Sequence, residues 1–201
     1  MPWVQLSAHL RDNAVRAGAV HLALTLRVVA ERAYTAKIQT AAVAAGVLPA
    51  LAAAMRPPSA TAAVQEWACR ALANLTAGTD AQCDARKLAS LEARVLPQIV
   101  ATTGAPSATA AVQEAACWAL ANITFGVDAQ GDARKQAAAN ADALPQIVAA
   151  MRAHSAVAAV QEQACCALAN ITTGTDAQRD ARTQAAHSWR CSIGTDILHQ
   201  I

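Results

Sequence analysis

Aromatic side chains are scarce in this 201-residue chain: four tryptophans, one tyrosine and one phenylalanine make up 3% of it, although 55% is hydrophobic. The apolar content is therefore mostly small, visibly alanine, which favours closely packed helices. Charge of one sign is missing too. Sixteen basic and 14 acidic residues, interspersed along the chain, leave a formal net charge of +2, with no electrostatic footprint for nucleic acid or a membrane surface. No stretch approaches the uninterrupted apolar length of a transmembrane helix, so membrane insertion is not expected. The segment "AGAVHLALTLRVVA" (17–30) is broken by His21 and Arg27, which separates it from a signal-peptide core.

Chemistry-bearing patterns are equally sparse. No C-x-x-C or Cys/His metal spacing occurs, so no metal is expected. None of the five histidines recurs beside a nucleophile or carboxylate, and no Gly-rich phosphate loop is present. The chain is read as non-enzymatic and without cofactors. Of the six cysteines, Cys69, Cys117 and Cys165 share one helical position and Cys166 follows directly. They are expected to be free, buried or half-buried thiols of a reducing compartment, which places the protein inside the cell, in cytoplasm, nucleus or both.

What is present is repetition. "VQEWACRALANLT" begins at Val64, "VQEAACWALANIT" at Val112 and "VQEQACCALANIT" at Val160, each 48 residues after the last. Pro49, Pro97 and Pro145, Gly78, Gly126 and Gly174, and Asp84, Asp132 and Asp180 keep the same step. Each unit parses into three helices. The first begins at "DAR"; the second begins at the "LP" proline, which has no N–H to lose at position N1. Ser59, Ser107 or Ser155 caps the third and longest, and the glycine ends it.

Such triplets bury all their apolar stripes only by stacking, with Val64, Val112, Val160, Leu72, Leu120 and Leu168 in a continuous core. Residues 16–31 fit the same register as a worn third helix, with Leu24 at the place of Leu72 and Leu26 at the place of the asparagine. The expected organisation is diverged N-terminal helices over 1–35, three repeats and the start of a fourth over 36–186, and a diverged tail over 187–201.

On the third helix Glu114, Trp118 and Asn122 are spaced i, i+4, i+8, away from the core stripe. Glu66, Arg70, Asn74 and Glu162, Cys166, Asn170 repeat the strip. A carboxamide donates and accepts, so an asparagine ladder suits peptide bonds of a guest chain. Three such bonds supply roughly 3 kcal/mol, against the 8 or so that micromolar binding needs, so an indole must add the rest.

A second reading stays open for each group. Trp118 covers a gap between repeats, the asparagines satisfy backbone near the helix end, and the glutamates form a solvated face. Trp67, without an equivalent, reads as local packing. The loop aspartates Asp80, Asp84, Asp128, Asp132, Asp176 and Asp180 read as helix caps rather than a cation site.

The three-helix unit, the "LP" junction and "ACWALANIT" with its trailing glycine resemble armadillo repeats over roughly residues 16–186, close in motif to those of nuclear-import adaptors and vacuolar tethers. The resemblance implies a right-handed α-α superhelix whose third helices line a concave face and bind extended peptides. In the import adaptors a tryptophan and an asparagine one turn apart clamp the ligand; only Trp118 and Asn122 match that pair, since Arg70 and Cys166 stand at the tryptophan position. Three function classes follow: a peptide-binding module, one section of a longer or self-associating array, and a cysteine-dependent enzyme.

Overall fold

The computed structural model describes residues 2–16, 19–57, 60–79, 81–105, 108–174, 179–180 and 182–184. Every regular element among them is an α-helix. In chain order these are α1 (Trp3–Arg16), α2 (Ala19–Arg32), α3 (Ala36–Ala44), α4 (Val47–Ala54), α5 (Ala62–Leu75), α6 (Ala81–Glu92), α7 (Val95–Thr103), α8 (Ala110–Thr124), α9 (Ala129–Asn140), α10 (Ala143–Ala153) and α11 (Ala158–Thr172). Helices three apart in order pack side by side, which sorts them into three layers. First helices α3, α6 and α9 form one, second helices α1, α4, α7 and α10 another, and third helices α2, α5, α8 and α11 the most closely packed. The fold is thus an all-α solenoid, and α1 with α2 supply the second and third helices of an incomplete leading unit.

Small side chains are what let the layers approach. Ala68, Ala71, Ala73, Ala116 and Ala119, with Cys69 and Cys117, are fully buried between third helices, beside Val64, Val112, Val160, Leu72 and Leu120. Recurring polar residues of the motif serve the backbone. Gln113 and Gln161 donate to the Thr103 and Met151 carbonyls at 2.8 Å, tying each third helix to the end of the second. Thr76, Thr124 and Thr172 return their hydroxyls to the carbonyl one turn earlier, at 2.7–2.8 Å.

Several expected boundaries move. The first helices start at Ala81 and Ala129, three residues before "DAR". Pro97 and Pro145 sit third in their helices, not first; the amide there is also without an intrahelical acceptor, so proline still forfeits nothing. The turn before them is left-handed, at Gly46 (φ 77), Arg94 (φ 54) and Asp142 (φ 62). The third-helix caps are Thr61 and Thr109, whose hydroxyls accept from Val64 and Val112 amides. Ser155 is not a cap, because α11 begins after Val157, which offers no side-chain oxygen; Ser59 and Ser107 lie outside the described residues. The glycines after the third helices do take positive φ, from 118 at Gly78 to 150 at Gly174, so a side chain there would be strained.

The register of α2 is corrected more substantially. Leu26 is fully buried and Leu24 is 56% exposed, the reverse of the 48-residue alignment. The hydrogen-bond ladder shows why: Asn122 reaches the Ala73 carbonyl, and Asn74 reaches that of Ala30. Ala30 therefore stands in the place of Ala73, a step of 43, which puts Arg27 in the row of Arg70 and Trp118 and Glu31 in the row of the asparagines. The unit that follows the leading one is five residues shorter: α3 has nine residues against twelve in α6, and the connection before it has three, 33–35, against five, 76–80.

Candidate functional site

The site is built on the wall of third helices α2, α5, α8 and α11. One row carries Glu66, Glu114 and Glu162, the next Arg27, Arg70, Trp118 and Cys166, and the last Glu31, Asn74, Asn122 and Asn170. All three asparagines are half-buried. Asn74, Asn122 and Asn170 each donate a side-chain amide to the preceding third helix, at Ala30, Ala73 and Ala121, with identical 2.9 Å separations. One N–H of each is spent between layers, a backbone-satisfying role the sequence left open against ligand contact. What each has left for a visitor is its carbonyl oxygen, an acceptor for an N–H, and the second N–H of its amide.

Trp118 is half-buried, packed on one side against the core. Its counterpart Arg70 bonds Glu66 at 3.2 Å and lies 3.7 Å from Glu114, so one guanidinium bridges two units of the acidic row. Arg70 also lies over the Trp67 ring, 5.9 Å from its centroid, while Arg27 approaches the same ring at 5.4 Å. Arg27 in turn holds Glu31 at 2.6 Å. Trp67, taken from the sequence as local packing, is the centre of this cluster, and the signal that would have revealed it is the 43-residue step aligning Arg27 with Arg70. The wall therefore changes along its length: cations cover the indole at its N-terminal end, whereas Trp118 has no cation over it among the described residues. Glu162 is exposed, and Cys166 is exposed beside it one turn on.

Cys69, Cys117, Cys165 and Cys166 are free thiols, and Cys83 donates to the Thr76 and Gly78 carbonyls. Burial raises the Cys69 thiol, with Cys117 adding to it, and pushes Cys117 up to about 12, so neither forms thiolate near neutral pH. Among the described residues no three His, Cys, Asp or Glu groups come together as a metal site. Asp128 caps α9 as expected, accepting from the Gly131 amide at 2.7 Å. Asp84 and Asp132 do something else, and Asp80 and Asp176 lie outside the described residues.

That other role went unseen in the sequence. Arg86, Lys87, Arg134 and Lys135, from the two "DARK" segments, and Arg182, from the matching "DART", are at most 2% exposed. Arg86, Arg134 and Arg182 reach back to the backbone that follows the preceding third helix, at Ala77, Phe125 and Thr173. Asp84 faces Arg134 of the next unit at 3.4 Å, and Asp132 faces Arg182 at 3.7 Å, an ionic staple from unit to unit. A groove of about 650 Å³ opens away from the third-helix wall, between α7, α9 and α10, where Gly104 stands in place of Arg56 and Arg152.

Comparison with known proteins agrees with this architecture. Residues 131–173, spanning most of α9 through α11, match the Armadillo/beta-catenin-like repeat. No curated protein matches the chain. Among solved structures, a crystal structure of an engineered protein aligns with a TM-score of 0.73 at 28% identity, over 90% of this chain and 68% of that one. A second engineered protein gives 0.73 at 27%, over 95% of this chain and 44% of the other. A third, described as computationally designed armadillo repeat proteins for modular peptide recognition, gives 0.71 at 25%, over 90% and 70%.

Proposed function

Because this chain is an armadillo-repeat solenoid, we propose that its third-helix wall holds an extended segment of a partner protein, with Trp118 as the principal anchor and no catalytic step. The observation that carries the reading is the contrast along one row: Arg27 and Arg70 are engaged with Trp67 and the glutamates, while Trp118 offers an indole face that no cation covers among the described residues. An extended chain rises about 3.3 Å per residue, and adjacent helices lie 8–10 Å apart, so the carbonyl oxygens of Asn74, Asn122 and Asn170 meet a guest N–H about every third residue. Since one N–H of each amide is occupied, these asparagines offer the guest an acceptor and a single donor. Glu114 and Glu162 flank the indole and favour a guest that is not acidic. A designed armadillo protein described as made for modular peptide recognition shares the fold, which supports a guest of this kind.

The test is to select binders from a random linear-peptide library on the full chain, then compare wild type with Trp118→Ala. At least a tenfold loss of affinity is expected, about 1.4 kcal/mol, with the helical circular dichroism unchanged. Equal affinities would remove the indole from the mechanism.

A second reading, a section of a longer or self-associating array, has its own observation. Leu24 and Val28 are 56% and 42% exposed on α2, and Leu168 on α11 is half-buried where Leu72 and Leu120 are fully buried. The outer faces of the first and last third helices are thus apolar.

A further inference from the structure

His9 on α1 and His21 on α2 point their Nε2 atoms at each other, 3.0 Å apart, with ring centroids 5.3 Å apart and planes at 76°. The pair lies at the surface, His21 exposed and His9 half-buried, and takes no part in the third-helix site. In this head-on arrangement one ring donates an N–H and the other receives it, so a single proton joins the two helices. We propose that this pair is a two-histidine site for a late-transition divalent cation of the zinc and nickel class: the metal takes the place of the shared proton, which passes through water to Nδ1 of the ring that had donated it, so that both rings ligate through Nε2 as neutral imidazoles.

The separation of the two donors fits. With metal–nitrogen bonds of about 2.0–2.1 Å, two imidazoles in adjacent positions lie roughly 2.9 Å apart at a right angle and 3.4 Å at the tetrahedral angle. The observed 3.0 Å falls between these limits, so chelation asks only that each ring swivel until its lone pair converges with the other, the helices staying where they are. Neutral imidazole is the ligating form and the commoner one near pH 7. No third His, Cys, Asp or Glu joins the pair among the described residues, so the remaining coordination positions go to water or to a donor from another molecule. A bound cation would clamp α1 to α2 in the leading unit, which has no first helix of its own among the described residues, and stabilise it by linkage.

The experiment titrates the chelator-stripped full chain with Ni²⁺ and with Zn²⁺ by calorimetry. Wild type is expected to bind one equivalent at this site, and His9→Ala and His21→Ala each to weaken it at least tenfold. A background variant with His154, His187 and His199 changed to Ala, and Cys166 and Cys191 to Ser, should retain it. Ni²⁺ should also broaden the imidazole resonances of His9 and His21 together, a readout that survives if an alanine variant is poorly folded. Binding unchanged in both alanine variants, broadening confined to the other histidines, or no binding up to roughly millimolar metal would overturn the site.

Discussion

At the scale of single residues, the arginines, lysines and aspartates of "DARK" decide more than their appearance in the sequence suggests. Charged residues in a first turn read as caps and solvated faces, yet Lys135 and Arg182 are buried beside Asp132 and Arg134 beside Asp84, with nitrogen atoms of all three lacking hydrogen-bond partners. Removing one member of such a group leaves uncompensated charge, whereas removing a surplus charge relieves it. Asp132→Ala is expected to cost about 3–5 kcal/mol in denaturant unfolding, and Lys135→Met to raise the thermal midpoint. Burial lowers the Lys135 value below 10.5; Asp132 opposes the shift, and Arg182 and Arg134 add to it. The unfolded chain then binds this proton more firmly than the folded one, so wild-type stability rises with pH as the medium approaches 10.5 from below. The advantage of Lys135→Met should therefore shrink over that alkaline window, and an advantage independent of pH would contradict the assignment. Asparagine identity was legible as a ladder from the sequence, but not its partner: periodicity places Asn74, Asn122 and Asn170 on one row, and only the stacking of helices brings carbonyls within 2.9 Å of them.

At the scale of helices, the sequence revealed most where the 48-residue step holds and least where it changes. Third helices and their glycines were legible because motif, period and apolar stripe coincide over Val64–Thr76, Val112–Thr124 and Val160–Thr172. The register of α2 was not, since a five-residue difference spread over α3 and the connection before it leaves the apolar stripe intact and shifts only which face it names. That same shift hid the Arg27–Trp67–Arg70 cluster. Caps follow a similar rule: Thr61 and Thr109 close α5 and α8, and the equivalent of both in α11 is Val157, with no oxygen to offer. Val157→Thr should supply the missing acceptor and raise stability by about 0.5–1 kcal/mol, read as a shift of the urea midpoint at constant slope. No shift, or a loss, would mean that the valine side chain packs in a way the cap cannot replace.

At the scale of the molecule, stability comes from neighbour-to-neighbour contacts: third helix on third helix, with the ionic staple running along the first helices. Such an array ends wherever its last faces meet solvent, and both outer third helices show apolar side chains there, Leu24 and Val28 on α2 and Leu168 on α11. If those faces join copies of the chain, sedimentation velocity should show mass increasing with concentration, and Leu24→Glu combined with Val28→Lys should return the protein to a monomer. A wild type that stays monomeric throughout would leave the array reading without support. The wall between the ends is then the surface on which the peptide-binding account stands.

Hydrogen exchange on the full chain, with and without a library-selected peptide, tests that account most directly. Slowed exchange confined to α5, α8 and α11, greatest around Trp118, is the result predicted. Protection centred instead on α7 and α10, beside the groove at Gly104, would contradict it.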